Sequence, residues 1–515
     1  METVSMRTRD KVRRLSDLSV ELEPLRINKK IVHCHGVFDL VHVGHIRHFN
    51  EAKDLGDVLV VTITPDRYVN KGPHRPAFDE NLRAEAVAAL DCVDFVAINE
   101  WPMATETIKL IKPNFYVKGP DYKDPANDLN EGLSLERSAV NSVGGHLVIT
   151  KDITASSTSL INRHLSPFSP EVSDFLSDFS SRYSSRDVIR YINGAQLLKV
   201  LVVGETIIDE YHYCEAVGKS SKDPMLVLRE LSTEKFAGGI LAVGNHVSGV
   251  ASQVGMVTQL GDDGLQDEFI KSSVNSNIEQ IFAYRENSPT IIKRRFIESY
   301  FFTKMLEVYE MNTMPLSEMD SEEICQLLRS AIPQYDVVLV VDYGHGLLNE
   351  EAVDILCRDS KFLAVNVQAN AGNLGYNTVS KYPKADYICI TENEIRLEAR
   401  DRSSDLKDVI MDTAKKLSVD RVSVTRGKSG CINYSSEEGL SVVPALATEV
   451  KDRTGAGDAF LSLATLCVAQ GAPMEVVGFV GNVAGAHAVA TVGNSESIDR
   501  VSVNKHIDSL LKWSF

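Results

Sequence analysis

Short apolar runs alternate with helical patterns along most of this sequence, and this alternation restricts the fold more than any other feature. The runs IVHCHGVF, DVLVVTIT and VDFVAI read as buried strands, and HIRHFNEAKDLG, between the first two, reads as a helix. Alternating strands and helices build a parallel sheet, whose ligands collect at the carboxyl ends of the strands. The sequence therefore predicts an α/β fold with its functional residues on the loops that follow the strands.

The alternation occurs in two blocks. At 515 residues the chain exceeds what one hydrophobic core usually organises. Residues 166–193, between the blocks, contain eight serines and two prolines, and we interpret them as a tether with one short helix, the alternative being a helical extension of either domain. We expect an N-terminal helical extension (1–28), a first α/β domain (29–165), a serine-rich linker (166–196) and a second, larger α/β domain (197–515).

Composition and charge exclude several classes of function. No apolar run approaches the roughly eighteen residues of a membrane span, and the N-terminus lacks the apolar core of a secretory signal. The eight cysteines are scattered singly, which favours reduced thiols over disulfides. A net charge of −17 disfavours binding to nucleic acid or to anionic membranes. We expect a cytoplasmic protein whose ligands are small molecules.

The tetrapeptide His42-Val43-Gly44-His45 stands directly after the first predicted strand, where a helix begins. Nucleotidyl transfer places negative charge on the α-phosphate and on the pyrophosphate leaving group, so its catalysis depends on positioning and electrostatic stabilisation. Two imidazoles at a helix N-terminus stabilise such charge, and Gly44 lets phosphates approach the backbone. Taken alone, such a tetrapeptide is more often a pair of structural histidines. Whether it is a nucleotide site therefore depends on the motifs around it.

The surroundings favour a nucleotide site, because residues 29–164 resemble the cytidylyltransferase-like nucleotidyltransferases. The matching motifs are the strand IVHCHGVFDL, the HxGH turn, Asn70-Lys71-Gly72 through Arg75-Pro76, Arg83, Val117-Lys118-Gly119, and Ser156 to Ser159. The resemblance implies a Rossmann-like fold that uses ATP or CTP, with His42, His45 and Lys71 as catalytic residues. The other nucleotide-binding residues that it implies are Gly36, Phe38, Asp39, Gly44, Arg83, Ser157 and Thr158. A purely structural helix cap is the alternative for the serine motif.

A second glycine-rich turn, KDRTGAGDAF, opens onto an apolar helix that begins at Ala456. Phosphoryl transfer from ATP to a sugar hydroxyl needs a base near the hydroxyl and an anion hole for the transferred group. Gly455, Ala456 and Gly457 supply N–H groups without intrahelical partners, and Asp458 is placed as the base. A structural helix cap is the less favoured interpretation.

The neighbouring motifs support a kinase, because residues 198–500 resemble the ribokinase-like carbohydrate kinases. The matching motifs are Val203-Gly204-Glu205 through Asp209, Phe236-Ala237-Gly238-Gly239, Gly261-Asp262-Asp263-Gly264, Lys293 with Arg295, Asp342-Tyr343, Thr425 to Gly430, and Asn482. The resemblance implies a ribokinase-like α/β sandwich with Asp458 as catalytic base. The nucleotide-binding residues that it implies are Thr425, Gly427, Gly455, Ala456, Gly457 and Asn482. The substrate-binding residues that it implies are Asp209, Gly238, Gly239, Asn245, Lys293 and Arg295.

The chain departs from this kinase pattern in three places. Asn245 follows the glycine pair only after what looks like a three-residue insertion, and Asn366 stands where the family usually has an Asp-Pro pair. Arg396 replaces the glutamate that organises Mg²⁺ and phosphate. Either Glu392 or Glu394 substitutes for it, with Glu394 as the candidate metal ligand, or the domain binds metal weakly or has lost its kinase activity.

Together, the two domains resemble the bifunctional heptose 7-phosphate kinase and heptose 1-phosphate nucleotidyltransferases that make ADP-heptose for lipopolysaccharide. In that family the kinase comes first, whereas here the transferase-like domain comes first. The resemblance implies ATP, Mg²⁺ and a homo-oligomer, most simply a dimer. Two alternatives stay open: the same chemistries on another sugar or polyol with CTP, and a kinase-like domain that serves only in binding or oligomerisation.

Overall fold

The structure is a computed structural model that describes residues 10–69, 75–119, 132–150 and 167–512. The predicted site residues Lys71, Ser157 and Thr158 lie outside the described residues. The described residues form two compact units, the first mainly before residue 169 and the second mainly from 182 to 503.

A six-stranded parallel sheet forms the centre of the first unit, with the strand order β1-β4-β3-β2-β5-β6. Its strands are β1 (Val12–Arg13), β2 (Ile31–Gly36), β3 (Val58–Ile63), β4 (Phe95–Ile98), β5 (Phe115–Lys118) and β6 (His146–Ile149). Its helices are α1 (Leu15–Leu25), α2 (Val43–Lys53), α3 (Glu80–Ala88), α4 (Thr105–Ile111) and α5 (Gly132–Ser142). The carboxyl end of β2 therefore leads directly into the HxGH turn.

Both faces of this sheet are covered. Val32, Leu59 and Val61 pack with Phe49 of α2 on one face, and Leu18 of α1 is buried against the other face. Near-continuous apolar runs such as VLVVTI in β3 are typical of a parallel sheet that is buried on both faces. The segment that we expected to be a separate N-terminal extension thus supplies β1 and α1 to this unit.

The second unit has a main sheet and a smaller sheet. The nine-stranded main sheet has the order β11-β10-β7-β14-β15-β16-β17-β18-β19, parallel from β11 to β17 and antiparallel at β18 and β19. The smaller sheet has the order β13-β12-β8-β9.

The strands of the main sheet are β7 (Lys199–Gly204), β10 (Gln253–Gly261), β11 (Ile278–Arg285), β14 (Val337–Asp342), β15 (Leu363–Val367), β16 (Tyr387–Thr391), β17 (Arg421–Thr425), β18 (Cys431–Ser435) and β19 (Gly439–Val443). Those of the smaller sheet are β8 (Thr206–Lys219), β9 (Leu226–Gly239), β12 (Ile291–Glu298) and β13 (Thr303–Glu310).

The helices of the second unit are α8 (Ile240–Ser248), α9 (Asp267–Ser273), α10 (Glu318–Ala331), α11 (Glu350–Asp359), α12 (Glu392–Ala399), α13 (Leu406–Leu417), α14 (Ala456–Ala469) and α15 (Met474–Val489). The remaining helices are α6 (Pro170–Arg182), α7 (Ser185–Gly194) and α16 (Arg500–Leu511). Helices α14 and α15 are apolar around most of their circumference and are mostly buried, so Asp458, in the first turn of α14, has a rigid support.

Residues 166–196 differ from the predicted tether with one short helix, because they hold the two helices α6 and α7. Ser184 caps α7, since its side chain accepts from the Asp187 backbone N–H and the Asp187 side chain accepts from the Ser184 N–H. Val188 and Ile192 of α7 are buried. The serine content of this segment therefore marks a helix start and not only a flexible spacer.

All eight cysteines are free thiols, as predicted, and seven of them are buried. Among the described residues, none of the helices combines the length and apolar character that a membrane crossing requires.

Candidate active sites

The two histidines of the HxGH turn are fixed by the start of α2. His42 is the N-cap, and its Nδ1 accepts from the Gly44 N–H at 3.1 Å, while the His45 Nδ1 accepts from the His42 N–H at 3.4 Å. The two rings stack with their centroids 4.1 Å apart. Burial lowers the pKa of His42, which favours the neutral ring. An acceptor Nδ1 places the ring proton on Nε2, so Nε2–H is the donor group of each ring.

The turn before these histidines is held by aromatic packing. Phe38 has a backbone φ of 50°, and its ring covers Gly36, where an added Cβ would lie 3.0 Å from the ring. The Phe38 ring also contacts His45 edge-on, with centroids 5.5 Å apart. Gly36 and Phe38 therefore lie in the turn as predicted, and their packing helps to set the ring of His45.

Asp39 points into the protein. Its carboxylate accepts from Arg75 Nε at 3.3 Å and from the Ala77 and Phe78 N–H groups at 2.9 and 3.3 Å, and the residue is only 2% exposed. Asp39 thus holds the loop before α3. The structure does not support its predicted role in lining the nucleotide.

Arg83 is likewise not at the phosphate site. Its guanidinium is 1% exposed and donates to the carbonyl oxygens of Phe78, Val37 and Thr64 at 2.9, 2.6 and 2.9 Å, and to the Asp66 carboxylate. These bonds join α3 to the ends of β2 and β3. The predicted contact between Arg83 and phosphate is therefore contradicted, because the guanidinium is committed to the core.

A buried ion pair that the motifs did not assign a role lies at the same edge of the sheet. Lys118, the last residue of β5, pairs with Glu136 of α5 at 2.8 Å and lies 5.3 Å from the centre of the Tyr116 ring. Burial, together with the charge of Lys118, lowers the pKa of His35 at the end of β2. In the sequence, only the motif that contains Lys118 indicated that this cluster has a role.

In the second unit, Asp458 has the properties of a catalytic base. Helix α14 begins with Gly455 as its N-cap at φ 83°, and an added Cβ would collide with Oδ1 of Asn494. The Tyr343 hydroxyl donates to Asp458 Oδ1 at 2.9 Å. Burial, with a smaller contribution from Asp209, raises the pKa of Asp458 to about 7. A carboxylate with such a pKa is suited to accept a proton near neutral pH.

The N–H groups at the start of α14 lie where the sequence predicts an anion hole, which stays a prediction. No side chain caps this helix, and the helix dipole adds positive potential there. Lys304 braces the turn, because its Nζ lies 2.6 Å from both Thr454 Oγ1 and Asp452 Oδ1. Tyr211 also donates to Asp452, at 2.6 Å. Asp452 thus organises this turn.

Asp209 and the glycine pair meet across β8 and β9. An added Cβ at Gly238 would collide with Asp209 Oδ2, and Gly239 has φ 57° with its Cβ position facing the Glu205 carbonyl oxygen. Arg295 pairs with Asp209 and, at 2.8 Å, with Glu307. Its charge is therefore neutralised within the protein.

Lys293 differs from Arg295 in having no ion pair within 4 Å among the described residues. It is 5% exposed, it lies opposite Asp209 in the register of β8 and β12, and its Nζ is 4.8 Å from the centre of the Tyr309 ring. Burial lowers its pKa, while the nearby Asp209 opposes that shift. Of the two predicted basic residues, Lys293 is therefore the one whose charge is not neutralised by an ion pair among the described residues, and it lies near both Asp209 and Asp458.

Asn245 does not belong to the group formed by Asp209, Lys293 and Asp458. Helix α8 begins immediately after Gly239, which places Asn245 in its second turn. Its Nδ2 donates to the Ser273 carbonyl at 2.7 Å, and its Oδ1 accepts from the Asn275 N–H at 2.9 Å. Its predicted role as a substrate ligand is contradicted, because both ends of the amide hold a loop.

Thr425 and Gly427 lie at the carboxyl end of β17, where Gly427 has φ 55°. Asn482 donates to the Gly478 carbonyl at 2.9 Å and contacts Sγ of Cys431, which is the register partner of Thr425. The predicted residues of this part of the nucleotide site therefore come from neighbouring elements.

The predicted metal ligand Glu394 is used as a helix cap. Its carboxylate accepts from the Thr391 N–H at 2.7 Å and from the Ala369 N–H at 3.1 Å. Glu392 is held by Arg396 and Arg426 at 3.1 and 3.3 Å. Among the described residues, no group of three or more His, Cys, Asp or Glu side chains is arranged to hold a metal ion. Glu394 therefore does not fit as a ligand of Mg²⁺.

Asn366, the other departure in this region, donates to the Cys389 carbonyl at 2.7 Å and so ties β15 to β16.

Glu205 was matched only as part of a motif, yet it is central to the loop after β14. Its carboxylate accepts from the Tyr343 and His345 N–H groups at 2.9 and 3.0 Å. Burial and the neighbouring Asp342 raise the pKa of Glu205 to about 7. Asp342 in turn accepts from the Tyr382 hydroxyl at 2.7 Å. Sequence reasoning did not assign His345 any role.

Each of the two units matches the model of a known protein family. Residues 197–500 match the model described as pfkB family carbohydrate kinase, and residues 33–164 match the one described as cytidylyltransferase-like. The predicted fold class is confirmed, as is the order in which the transferase-like domain precedes the kinase-like domain.

Several bacterial relatives carry the name Bifunctional protein HldE. The protein from Geobacter metallireducens is 37% identical over 166 residues, which cover 31% of this chain and 32% of the relative. The one from Campylobacter jejuni subsp. jejuni serotype O:6 is 24% identical over 318 residues, 60% of this chain and 65% of the relative. The chain thus spans less than two thirds of the length of these relatives.

Among solved structures, phosphofructokinase-2 from Escherichia coli in complex with potassium is 13% identical, with a TM-score of 0.49, covering 61% of this chain and 99% of that chain.

Proposed function

The chain belongs to the pfkB family of carbohydrate kinases, and from this premise we propose that it is a bifunctional enzyme of nucleotide-sugar synthesis. Its second unit phosphorylates a sugar with ATP, and its first unit transfers a nucleotidyl group to the resulting sugar 1-phosphate. The cytidylyltransferase-like match and the relatives named as bifunctional support the pairing of the two activities.

Asp458 is the observation that carries the kinase proposal. With a pKa near 7 it accepts the proton of the attacking sugar hydroxyl, whose oxygen forms a bond to the γ-phosphorus of ATP. The bond from that phosphorus to the β,γ-bridging oxygen breaks, and ADP leaves. The N–H groups of Gly455, Ala456 and Gly457 stabilise the charge of the transferred phosphoryl group.

Asp209 and Lys293 orient the sugar in this proposal. Asp209 accepts hydrogen bonds from sugar hydroxyls, and Arg295 positions its carboxylate. Lys293 supplies the positive charge beside the acceptor. Mg²⁺ that accompanies ATP would neutralise phosphate charge, and we assign it no ligand in this chain.

In the first unit, His42 and His45 bind the phosphates of the nucleoside triphosphate through Nε2–H. A phosphate oxygen of the sugar 1-phosphate attacks the α-phosphorus, and pyrophosphate leaves. The stacked and capped geometry of the two rings supports this role, because it holds both imidazoles at the helix start. Gly44 leaves room for the phosphates there, and Lys71 adds positive charge.

The substrate that we propose is a heptose 7-phosphate, which the second unit phosphorylates at its anomeric hydroxyl to the 1,7-bisphosphate. Hydrolysis of the 7-phosphate by a separate phosphatase leaves the heptose 1-phosphate, which the first unit converts to ADP-heptose, a precursor of lipopolysaccharide. The resemblance of the domain pair supports it. The alternative is a CTP-using transferase for another sugar or polyol phosphate, with a non-catalytic kinase-like domain. The use of Glu394 as a helix cap favours that alternative, whereas the shifted pKa of Asp458 argues against it. A cytoplasmic homodimer remains our prediction, and light scattering of the purified protein can check whether it is a dimer.

A coupled assay tests this function. Purified wild-type protein and Asp458→Asn receive D-glycero-D-manno-heptose 7-phosphate, Mg²⁺, ATP with or without CTP, and an added phosphatase that removes the 7-phosphate from the bisphosphate. The sugar bisphosphate, before the phosphatase is added, and the nucleotide sugar, after it is added, are quantified. We expect both products from the wild type and neither from the variant. A wild type that joins a supplied sugar 1-phosphate to a nucleotide, but phosphorylates no sugar, would support the alternative.

A further inference from the structure

One tyrosine of the second unit contacts both the proposed base and the buried lysine, and the reaction described above gives it no role. Tyr343 follows β14 directly and is 4% exposed. Its hydroxyl donates to Asp458 Oδ1 at 2.9 Å, and the centre of its ring lies 5.7 Å from Lys293 Nζ. The group that would accept the proton and the cation that would lie beside the sugar therefore share this neighbour.

The backbone of Tyr343 is fixed on both sides of its Cα. Its N–H donates to Glu205 Oε2 at 2.9 Å, and its carbonyl oxygen accepts from the side-chain amides of Asn370 and Asn373 at 2.7 and 3.0 Å. Both asparagines lie in the loop after β15. The next residue, Gly344, has φ 69°, and an added Cβ there would lie 2.6 Å from Asn373 Nδ2. Bonds from two separate segments thus hold this tyrosine where its hydroxyl reaches the base.

The Lys293 ammonium is surrounded by aromatic rings. In the described part of the chain it has no ion-pair partner, whereas the ring centres of Tyr309 and Tyr343 lie 4.8 and 5.7 Å from its Nζ. The face of an aromatic ring attracts a cation at this distance, and the attraction is stronger where water is excluded. The two rings therefore stabilise a charge that burial alone disfavours.

Three groups act on the charge of Asp458 from the elements around it. Burial raises its pKa, the Tyr343 hydroxyl lowers it, Asp209 of β8 raises it and Lys293 of β12 lowers it. Burial also raises the pKa of Tyr343 well above that of free tyrosine, so its hydroxyl keeps its proton. Tyr343 therefore remains a donor over the whole range in which Asp458 titrates.

We propose that Tyr343 is a positioning residue of the kinase reaction, whose hydroxyl orients the Asp458 carboxylate and whose ring, with that of Tyr309, holds Lys293 beside the sugar. This inference rests on the proposed kinase function and deepens it, because it assigns two separate effects to two parts of one side chain.

Two substitutions separate these effects, because Tyr343→Phe removes only the hydroxyl and Tyr343→Leu removes the ring as well. The measured quantities are kcat and KM for D-glycero-D-manno-heptose 7-phosphate, between pH 5.5 and 9.5 at saturating ATP. For Tyr343→Phe we expect the acidic side of the kcat/KM profile to move about one pH unit higher, because the carboxylate loses one hydrogen bond. The loss of kcat/KM should then be about tenfold larger at pH 6 than at pH 9.

The KM for the sugar distinguishes the ring from the hydroxyl. Tyr343→Phe should change KM less than about twofold, since phenylalanine still presents a ring face to Lys293. Tyr343→Leu should show the same shift in pH dependence and also raise KM by about threefold or more, since Lys293 loses one of its two rings.

The matched control is Tyr335→Phe, at the opposite end of β14. The Tyr335 hydroxyl also donates to a carboxylate at 2.9 Å, that of Glu279 in β11, and Tyr335 is buried like Tyr343. The same chemical change should therefore leave the pH profile and KM as in the wild type.

A second measurement follows Asp458 without turnover. Carbon-13 NMR of protein labelled at the aspartate carboxyl groups records its titration, and Asp458→Asn identifies its signal. The pKa of Asp458 should rise by about one unit in Tyr343→Phe and stay unchanged in Tyr335→Phe.

An unchanged pKa of Asp458 in Tyr343→Phe would overturn the proposal. So would a kcat/KM that falls equally at all pH values, or a KM that rises as much in Tyr343→Phe as in Tyr343→Leu. A wild type that phosphorylates no sugar, while its Asp458 responds to Tyr343→Phe as expected, would overturn only the proposed kinase function.

Discussion

At the scale of single residues, Asp458 should set the pH dependence of the kinase reaction. Burial raises its pKa to about 7, and a base must be deprotonated to act. We expect kcat/KM for the sugar to fall about tenfold per pH unit below 7 and to level off above it. Initial rates between pH 5.5 and 9 at saturating ATP measure this. Transfer from a supplied sugar 1-phosphate in the same buffers is the control, and a kinase profile that is flat through pH 7 would contradict the assignment.

Arg83 should contribute to stability and not to nucleotide binding. Arg83→Met leaves three carbonyl oxygens in the core without their donor and removes the partner of the partly exposed Asp66, which should lower the free energy of unfolding by about 3 kcal/mol, chiefly through the carbonyl oxygens. Thermal unfolding of the first unit measures this, and Arg137→Met on the exposed side of α5 is the matched control. An unchanged melting temperature with a raised KM for the nucleotide would instead restore the predicted phosphate contact.

The residues that sequence reasoning misplaced share one physical cause. Asp458 and Gly455 could be predicted because a helix start fixes the direction of its own first residues. The partners of Asp39, Arg83 and Asn245 come from distant segments, and only the tertiary structure decides whether such a polar side chain faces a ligand or holds a loop. The motif positions therefore located the loops of each site but not the orientation of these side chains.

At the scale of elements, the start of α14 depends on a backbone that only glycine adopts readily. Gly455→Ala places a side chain at φ 83° against Asn494, so we expect a lower melting temperature for the second unit and a kinase rate reduced by at least about tenfold. Calorimetry and the kinase assay measure the two effects. Gly485→Ala in α15, where a Cβ would meet only the Ala456 carbonyl at 3.7 Å, should be neutral or stabilising. Equal behaviour of the two variants would show that the turn tolerates a side chain.

Most strands could be predicted from apolar runs, whereas the helices of the linker could not. Strands such as VVLVVD are buried on both faces, so their sequence is nearly continuous in apolar residues. Helices α6 and α7 were not predicted as a pair, because the high serine content between the two blocks favoured a flexible linker over the helical spacing of its apolar residues. The buried positions of α7, Val188, Ile189 and Ile192, have helical spacing, and the cap at Ser184 was readable from the sequence.

At the scale of the whole molecule, each unit has its own sheet and its own hydrophobic core. Units of this kind can fold and act separately when the reaction does not require both sites at once. The phosphorylated sugar that the second unit would release is a small, soluble anion. We therefore expect two independent reactions that share a diffusing intermediate.

This independence predicts that two singly inactivated proteins complement each other. His45→Ala should abolish nucleotidyl transfer and leave sugar phosphorylation unchanged, and Asp458→Asn should do the reverse. With an added phosphatase that removes the 7-phosphate, a mixture of the two variants should form the nucleotide sugar from heptose 7-phosphate after a lag, because the intermediate must accumulate in solution. The two activities are measured by following sugar bisphosphate and nucleotide sugar over time. If the mixture stays inactive while Asp458→Asn still uses a supplied sugar 1-phosphate, the intermediate does not reach the second protein through solution, and the two sites must operate within one molecule.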